Sequence, residues 1–504
     1  MKFKTALFLT HRWLGIIMSL LFAMWFATGM VMMYVSIPAL TEEEHYAGLP
    51  RLDPERISIS PQAVLATTNN KQTIDHLILS STAGRPLYLL KIKGSPWRGM
   101  YADNGELLEN FTADLALNSA VSFYQTAQPS YRGQAEYHQL LDIDQWTVSS
   151  GLSSHRPLHM VAVNDPAQTQ LYVSSHTGQV VRDTTRNERI WNWLGANLHW
   201  IYPLQLRRHV NIWTNLVIAL SILGLVTIAT GGIIGILRLR IKRPHGDQSF
   251  SPYQGVGKYH HVLGLVGLVF LTTFMFSGLM SMSPWGIFDT KDNFAQQFSR
   301  YQLGPAFLRS TPAYSSTADI QALLKQPENL ATKQILWHWI GGKSHLTLHR
   351  SEGHTRYQAA SETKLTLDQK IQRGIISLIP NEKILFQQRL EDYDAYYYSH
   401  HKRLRPLPIL RIKFSDPEST WFHIDVTTGK ILERLSYKDR LERWLFNGLH
   451  SLDFSMLINN RPVWDALVLS LCCLGLLFSV TSIVLAWRNL GEHIKERVSS
   501  ERPP

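Results

Sequence analysis

Four histidines fall at matched places in the two halves of this chain, each beside an apolar stretch. His11-Arg12-Trp13-Leu14-Gly15 opens a run that reaches Gly29, and His260-His261-Val262-Leu263-Gly264 opens another that reaches Gly278. In both copies the first glycine follows the histidine by four positions and the second by fourteen more. A second matched set joins Trp193-Leu194, His199, Trp213 and Gly224 to Trp444-Leu445, His450, Trp464 and Gly475. Imidazole is a usual axial ligand of haem iron, and two imidazoles on one iron favour electron transfer over oxygen chemistry. Four such residues in two related pairs suit two bis-histidine b haems.

Helical geometry sharpens that expectation. With 3.6 residues per turn, His11, Gly15 and Gly29 share one stripe, and Gly29 stands roughly 27 Å along the axis from His11. A flat macrocycle needs a ligand at its iron and no side chain where it meets a helix. Gly15 is expected to clear that space beside His11, and Gly29 beside a second group near the opposite surface. His260, Gly264 and Gly278 repeat the stripe. His11 is expected to pair with His260, and His199 with His450. The latter two sit on short interfacial helices, residues 191–200 and 444–453, that must dip toward the core. His261 competes with His260, and only alignment with Leu14-Gly15 favours the latter. His209 is a fallback for His199 without a histidine counterpart.

Other residues carry plainer readings. Met18, Met24, Met30, Met32 and Met33 are expected to face lipid or pack rather than ligate, and Cys472 and Cys473 to be small buried residues. Trp193, Trp200, Trp213, Trp444 and Trp464 fit an interfacial aromatic belt. Trp337-His338-Trp339 and His345 through His349 read as strand residues rather than a dedicated metal site. Arg156, His159, Asp144, Asp394 and Arg405 either shape an acceptor pocket or, one by one, hold the fold through ion pairs. Asn110-Phe111-Thr112 matches a glycosylation pattern, a short and weak signal.

The elements that must position the histidines follow from hydropathy. The 504 residues have a mean hydropathy of -0.10, too polar for a chain embedded throughout. Four segments, 13–35, 210–237, 262–283 and 466–487, are nevertheless long and apolar enough to span a bilayer. The first is too long for a signal-peptide core and reads as an uncleaved anchor. Lys2, Lys4 and Arg12, the loop from Arg238 to Lys258, and Arg488, Lys495 and Arg497 all fall on one side of a four-span chain. The positive-inside rule puts that side, with both termini, in the cytoplasm. The net charge of +11 partly reflects these flanks, so it gives nucleic-acid binding little support.

The expected plan is a membrane α-helical protein with four transmembrane helices in an internally duplicated two-plus-two bundle and two external α+β domains. Residues 1–36 hold the N-terminus and first span, 37–205 the first external domain with its interfacial helix, and 206–240 the second span. A basic cytoplasmic loop covers 241–258 and the third span 259–284. The second external domain and interfacial helix cover 285–462, the fourth span 463–488 and a cytoplasmic tail 489–504. Strands are read at 86–93, 170–175 and 420–425, with turns at Tyr101–Glu106, His176–Gln179 and Thr428–Lys430. Arg156-Pro157-Leu158 is matched to Arg405-Pro406-Leu407, and Asp144–Thr147 to Asp394–Tyr397.

With these residues in hand, the chain resembles the PepSY-associated transmembrane family, which includes inner-membrane ferric-siderophore reductases of Gram-negative bacteria. The marks are His11-x-x-Leu14-Gly15 with Gly29, Trp193-Leu194 through Leu198-His199, and Arg405-Pro406-Leu407-Pro408. Further marks are Asp416-Pro417 with Thr420-Trp421, and Arg443-Trp444-Leu445 through Leu449-His450-Ser451-Leu452-Asp453. The resemblance implies a bacterial inner-membrane module with b-type haems on His11, His199, His260 and His450, and PepSY-like domains in the periplasm. It also implies electron flow from the cytoplasm to a periplasmic acceptor, often a ferric chelate. No flavin or nicotinamide fingerprint is visible, so the donor is expected to be a separate cytoplasmic reductase or a quinol. PepSY modules also resemble protease propeptides, so the alternative is a membrane-anchored binding or regulatory protein without redox activity. A permease is disfavoured because no span carries a charge at its middle.

Overall fold

Four long helices form the apolar part of the computed structural model, which describes residues 2–68, 74–240, 250–290, 293–307, 309–350, 355–358, 365–399 and 404–500. Helix α1 covers Lys2–Met32, α2 Val210–Arg238, α3 Gly255–Met280 and α4 Arg461–Ser500. Each contains a stretch long and apolar enough to cross a membrane. Helix α1 starts at Lys2 rather than residue 13, because Phe3 to Thr10 holds no glycine or proline to stop it. His11 therefore sits inside a helix, not at its start. The part of the expected basic loop at 241–249 lies outside the described residues.

The helices close into a ring: α1 packs on α2 and α4, and α3 packs on the same two. Met18, Phe22, Phe26, Ile228, Leu271, Trp464, Val468 and Cys472 fill its middle. Two glycines permit the close approach, as small residues do between membrane helices. A Cβ at Gly224 would lie 2.8 Å from Met275 Sδ, and one at Gly475 2.5 Å from Phe26 Cε1. Met18 and Met33 are buried in this core. Cys472 is buried too, but Cys473 is exposed, with its Sγ 3.9 Å from Met30 Sδ, so only one of the two cysteines matches expectation.

Among the described residues, fourteen strands build most of the remainder. In the first half they are β1 (Ile74–Thr82), β2 (Arg85–Ile92), β3 (Trp97–Tyr101), β4 (Glu136–Leu141), β5 (Leu158–Ala162), β6 (Gln170–Ser174) and β7 (Val180–Thr184). In the second half they are β8 (Gln334–Ile340), β9 (Lys343–His349), β10 (Thr355–Gln358), β11 (Ile384–Leu390), β12 (Ile409–Phe414), β13 (Trp421–Asp425) and β14 (Ile431–Leu435). Strands β4–β7 form one sheet and β11–β14 another. Helix Ala113–Ala127 lies on the first, and helices Phe294–Leu303 and Leu367–Leu378 on the second.

A third sheet, in the order β10-β9-β8-β1-β2-β3, takes strands from both halves. The expectation of two separate α+β units is corrected here, because Leu77 of β1 pairs with Trp337 of β8. A purely local reading of strand pattern has no means of seeing a partner so far away in sequence. The matching of Arg156-Pro157-Leu158 to Arg405-Pro406-Leu407 is also shifted. Strand β5 starts at Leu158 and β12 at Ile409, so the positional counterpart of Arg156-Pro157-Leu158 is Leu407-Pro408-Ile409.

Helices Pro61–Ala66 and Thr317–Lys325 cover one face of the shared sheet. On the other face the register lines up His76, His338 and His345 across three strands. The two smaller sheets meet this face through matched turns. Thr82 Oγ1 donates to Thr177 O at 3.1 Å, and His345 Nε2 donates to Thr428 O at 2.8 Å. Gly178 (φ +62°) and Gly429 (φ +71°) complete the turns, and a Cβ on either would collide with the shared sheet, at Thr82 and Ile340 respectively.

Burial holds the His345 imidazole down to about 4, against a smaller upward pull from its bond to Thr428, with Lys370 lowering it further. The folded protein thus keeps His345 neutral where the unfolded chain, titrating near 6.5, takes a proton. Stability is full above about pH 6.5 and falls as pH drops toward 4, by on the order of 3 kcal/mol from this residue. Thermal unfolding followed by near-UV circular dichroism between pH 7 and 4 should show that loss. His345→Gln, which keeps an N–H for Thr428 O, should flatten the slope.

Candidate functional site

Two pairs of imidazoles face each other within the helix ring. His11 on α1 and His260 on α3 lie with ring centres 6.4 Å apart and planes inclined at 42°. His199 and His450 are 6.1 Å apart at 70°. The pairs sit near opposite ends of the bundle, since His199 lies against Thr28 and Gly29, more than four turns beyond His11 on α1.

Each histidine uses Nδ1 to contact a neighbouring helix. His11 Nδ1 is 3.1 Å from Thr227 O and 3.3 Å from Thr230 Oγ1, both on α2. His260 Nδ1 is 3.2 Å from Thr481 Oγ1 and 3.3 Å from Ser482 Oγ on α4. His199 Nδ1 is 3.1 Å from Thr28 Oγ1 on α1. His450 Nδ1 is 3.0 Å from Ser277 Oγ and 3.2 Å from Phe274 O on α3. Among the described residues, no hydrogen bond engages the Nε2 atom of any of the four.

His261 points elsewhere. Its Nδ1 is 2.8 Å from Ser251 Oγ and its Nε2 2.9 Å from Gly235 O, so both ring nitrogens have partners. Of the two adjacent candidates, it is His260 that faces His11. His209 is exposed ahead of α2 and takes no part.

The segments that carry His199 and His450 are not simple helices. Arg186–Asn192 is α-helical, Trp193–Asn197 widens into a π-helix, and a final helical turn presents His199. Tyr437–Arg443, Trp444–Gly448 and His450 repeat the arrangement. Such π segments are rare and often mark functional positions. No apolar period announces them, and the sequence reading did not foresee them.

Tryptophans hold these segments down. Trp213 Nε1 donates to Trp200 O at 2.9 Å, and Trp464 Nε1 donates to Ser451 O at 2.8 Å. Each bond joins a membrane helix to the residue just after a paired histidine. Trp25 Nε1 donates to His199 O at 2.8 Å. Trp213 and Trp464 therefore act as clamps, beyond the belt role expected of them. From the other side, Gln145 Nε2 donates to Asn197 Oδ1 at 2.7 Å, and Trp444 Nε1 donates to Tyr396 Oη at 2.9 Å. The loops after β4 and β11 thus rest on the two segments.

The glycines differ among themselves. A Cβ on Gly29 would lie 3.5 Å from His199 Cε1, and one on Gly278 3.6 Å from His450 Cε1, both ordinary contacts. Gly15 has nothing within 4 Å of such an atom. Gly264, expected to leave equal room, is instead covered by Phe478 at 3.1 Å, whose ring stacks on His260 at 4.8 Å. Gly231 is the tight one and was missed: its Cβ would lie 2.6 Å from His11 Cε1.

The five residues proposed to shape an acceptor pocket all have structural partners. Asp144 accepts from Tyr172 Oη at 2.6 Å, and Arg156 donates to Thr147 O at 2.7 Å. Asp394 pairs with Arg411, and Arg405 is bidentate to Glu433 at 3.0 Å. His159 Nδ1 lies 3.2 Å from Tyr137 Oη. On the shared sheet His338 and His345 stack with ring centres 5.1 Å apart. Among the described residues, no three His, Cys, Asp or Glu side chains outside or inside the bundle are grouped to hold a metal ion on their own.

The family model described as "PepSY-associated TM region" matches residues 8–396. That stretch contains most of α1 and all of α2 and α3, with His11, His199 and His260, and His450 lies beyond it. No curated protein matches the chain.

Gly15 and Gly231 allow a test of the geometry by substitution. Alanine gains about 1 kcal/mol over glycine in a helix. At Gly15 the protein itself leaves open space, so in cofactor-free protein Gly15→Ala should leave melting unchanged or raise it. At Gly231 the new atom drives into His11, so Gly231→Ala should lower the melting temperature, read by intrinsic fluorescence in detergent.

Proposed function

The chain belongs to the PepSY-associated TM family, and on that footing we propose that it is a di-haem b oxidoreductase of the bacterial inner membrane. The observation that carries the reading is the facing of two imidazole pairs inside an apolar bundle. A metal–imidazole bond is about 2.0 Å, and the ring centre lies roughly 1.1 Å further back, so two imidazoles on opposite sides of one metal would have centres about 6.2 Å apart. The pairs here stand at 6.4 and 6.1 Å.

The donor set fits haem iron in kind as well. All four are histidines, two per site, with no carboxylate or thiolate among them. Haem supplies one-electron chemistry when so held. The chain's own part is to bind, orient and exclude water. His11 and His260 hold one group, and His199 and His450 the other. Gly15 leaves a clear face beside the first pair, while Gly29 and Gly278 flank the second. Phe22, Phe26, Phe270 and Phe274 pack the space between the pairs and keep it dry.

Direction follows from the basic flanks. Lys2, Lys4, Arg238, Arg240 and Lys258 cluster at the end of the bundle that holds His11 and His260, which the positive-inside rule assigns to the cytoplasm. Electrons then enter there from a cytoplasmic reductase or a quinol and leave by the second pair into the periplasm. A ferric chelate, such as an iron-loaded siderophore, is the acceptor we favour, because reduction to Fe(II) loosens hard oxygen ligands and frees the metal.

Purified protein should show a b-type spectrum in reduced-minus-oxidised difference, with about two haems per chain by pyridine haemochrome, as two bis-histidine sites require. His11→Ala and His450→Ala should each remove one haem, and not the same one. Protein expressed with ample haem that still shows no Soret band would sink the reading.

A further inference from the structure

The hydroxyl groups behind the four histidines have a second consequence, one that rests on the reading of those histidines as axial ligands. Thr28 lies behind His199, Thr230 behind His11, Ser277 behind His450 and Thr481 behind His260, at 3.0 to 3.3 Å from Nδ1. Thr28 and Ser277 occupy matched places on α1 and α3, and Thr230 and Thr481 on α2 and α4.

Each hydroxyl has already given its one proton to its own helix. Thr28 Oγ1 donates to Met24 O at 2.7 Å, and Thr230 Oγ1 donates to Val226 O at 2.8 Å. Ser277 Oγ donates to Phe274 O at 3.0 Å, and Thr481 Oγ1 donates to Phe478 O at 2.6 Å. A hydroxyl with its proton so committed can only accept in a further bond. The imidazole must therefore supply the proton, from Nδ1. At His11 and His450 a backbone carbonyl adds an acceptor that has no donor form at all, Thr227 O at 3.1 Å and Phe274 O at 3.2 Å. With the proton on Nδ1, the lone pair of a neutral ring is on Nε2.

We propose that Thr28, Thr230, Ser277 and Thr481 are positioning residues that hold the four imidazoles in the Nδ1–H tautomer, leaving each Nε2 lone pair free for iron. Ser482, 3.3 Å from His260 Nδ1 and itself bonded to Phe478 O at 3.0 Å, backs Thr481 in the same way. Such outer partners orient a ligand, fix its tautomer and raise its basicity, and losing one costs roughly 10–100-fold in metal affinity.

The test uses the full chain in lipid nanodiscs with Thr28→Val, Ser277→Ala, Thr230→Val and the double variant Thr481→Val with Ser482→Ala. Haem content of the parent is measured first. If the parent holds two haems, Thr28→Val and Ser277→Ala should shift the midpoint potential and low-temperature EPR signal of one haem. The Thr230 and Thr481 variants should shift those of the other, each with roughly 10–100-fold weaker retention of its haem. Thr28→Ser should restore the parent values. Parent-like potentials, EPR signals and retention in all the variants would overturn the inference while leaving the haem reading intact. If the parent holds none, the haem reading fails separately, and nitrogen-15 spectra of histidine-labelled protein decide the tautomer question. Loss of Nδ1-protonated signals in the variants then upholds the positioning role, and unchanged spectra overturn it.

Discussion

An imidazole N–H inside an apolar bundle must be answered by an acceptor from the protein, because hydrocarbon offers nothing in return. That demand shapes the membrane part of this chain. The four paired histidines each present Nδ1 to an oxygen on an adjacent helix, so the choice of neighbours is set by which helix can supply one. Helix α2 serves the histidine of α1, and α4 that of α3. The segments that carry His199 and His450 are answered by α1 and α3 in turn. The bundle places α1 beside α2 and α3 beside α4, so all of these bonds are made at once.

Holding His199 and His450 at depth takes more than one contact, because neither lies on a membrane helix. The π-helical turns set their direction, and the indoles of Trp213 and Trp464 bind the backbone immediately after them. The β-rich part presses from the opposite side through Gln145 and Tyr396. A polar site is thereby gripped between two bodies of very different composition, an apolar ring and a set of antiparallel sheets. Strain or motion in either has a direct route to the pair through a few hydrogen bonds.

Much of this was legible in the residues. Apolar runs located the four helices, and the matched spacing of His11 with His260 and of His199 with His450 picked out the rings that meet. Alternation found β2, β6 and β13 to within a residue or so. What escaped notice depends on contacts across the sequence. Gly231 matters only because His11 leans on it, and Phe478 covers Gly264 for reasons that lie on a different helix. The hydroxyls of Thr28, Thr230, Ser277 and Thr481 look like ordinary back-bonded residues in apolar helices. The π turns have no compositional mark. The pairing of β1 with β8 joins strands whose patterns say nothing about each other.

That last pairing bears on how the chain is made. Strands β1, β2 and β3 are synthesised long before β8 and β9, and until those arrive β1 has an unpaired edge of the kind that invites mispairing. Two further membrane segments must be inserted in the interval. Completion of the central sheet is thus a late, non-local event of the type that folds slowly. The first half, released early by truncation, would carry an open edge with no segment of its own to close it. Assembly of this protein is therefore governed by the whole chain, and each half acts as the other's missing template.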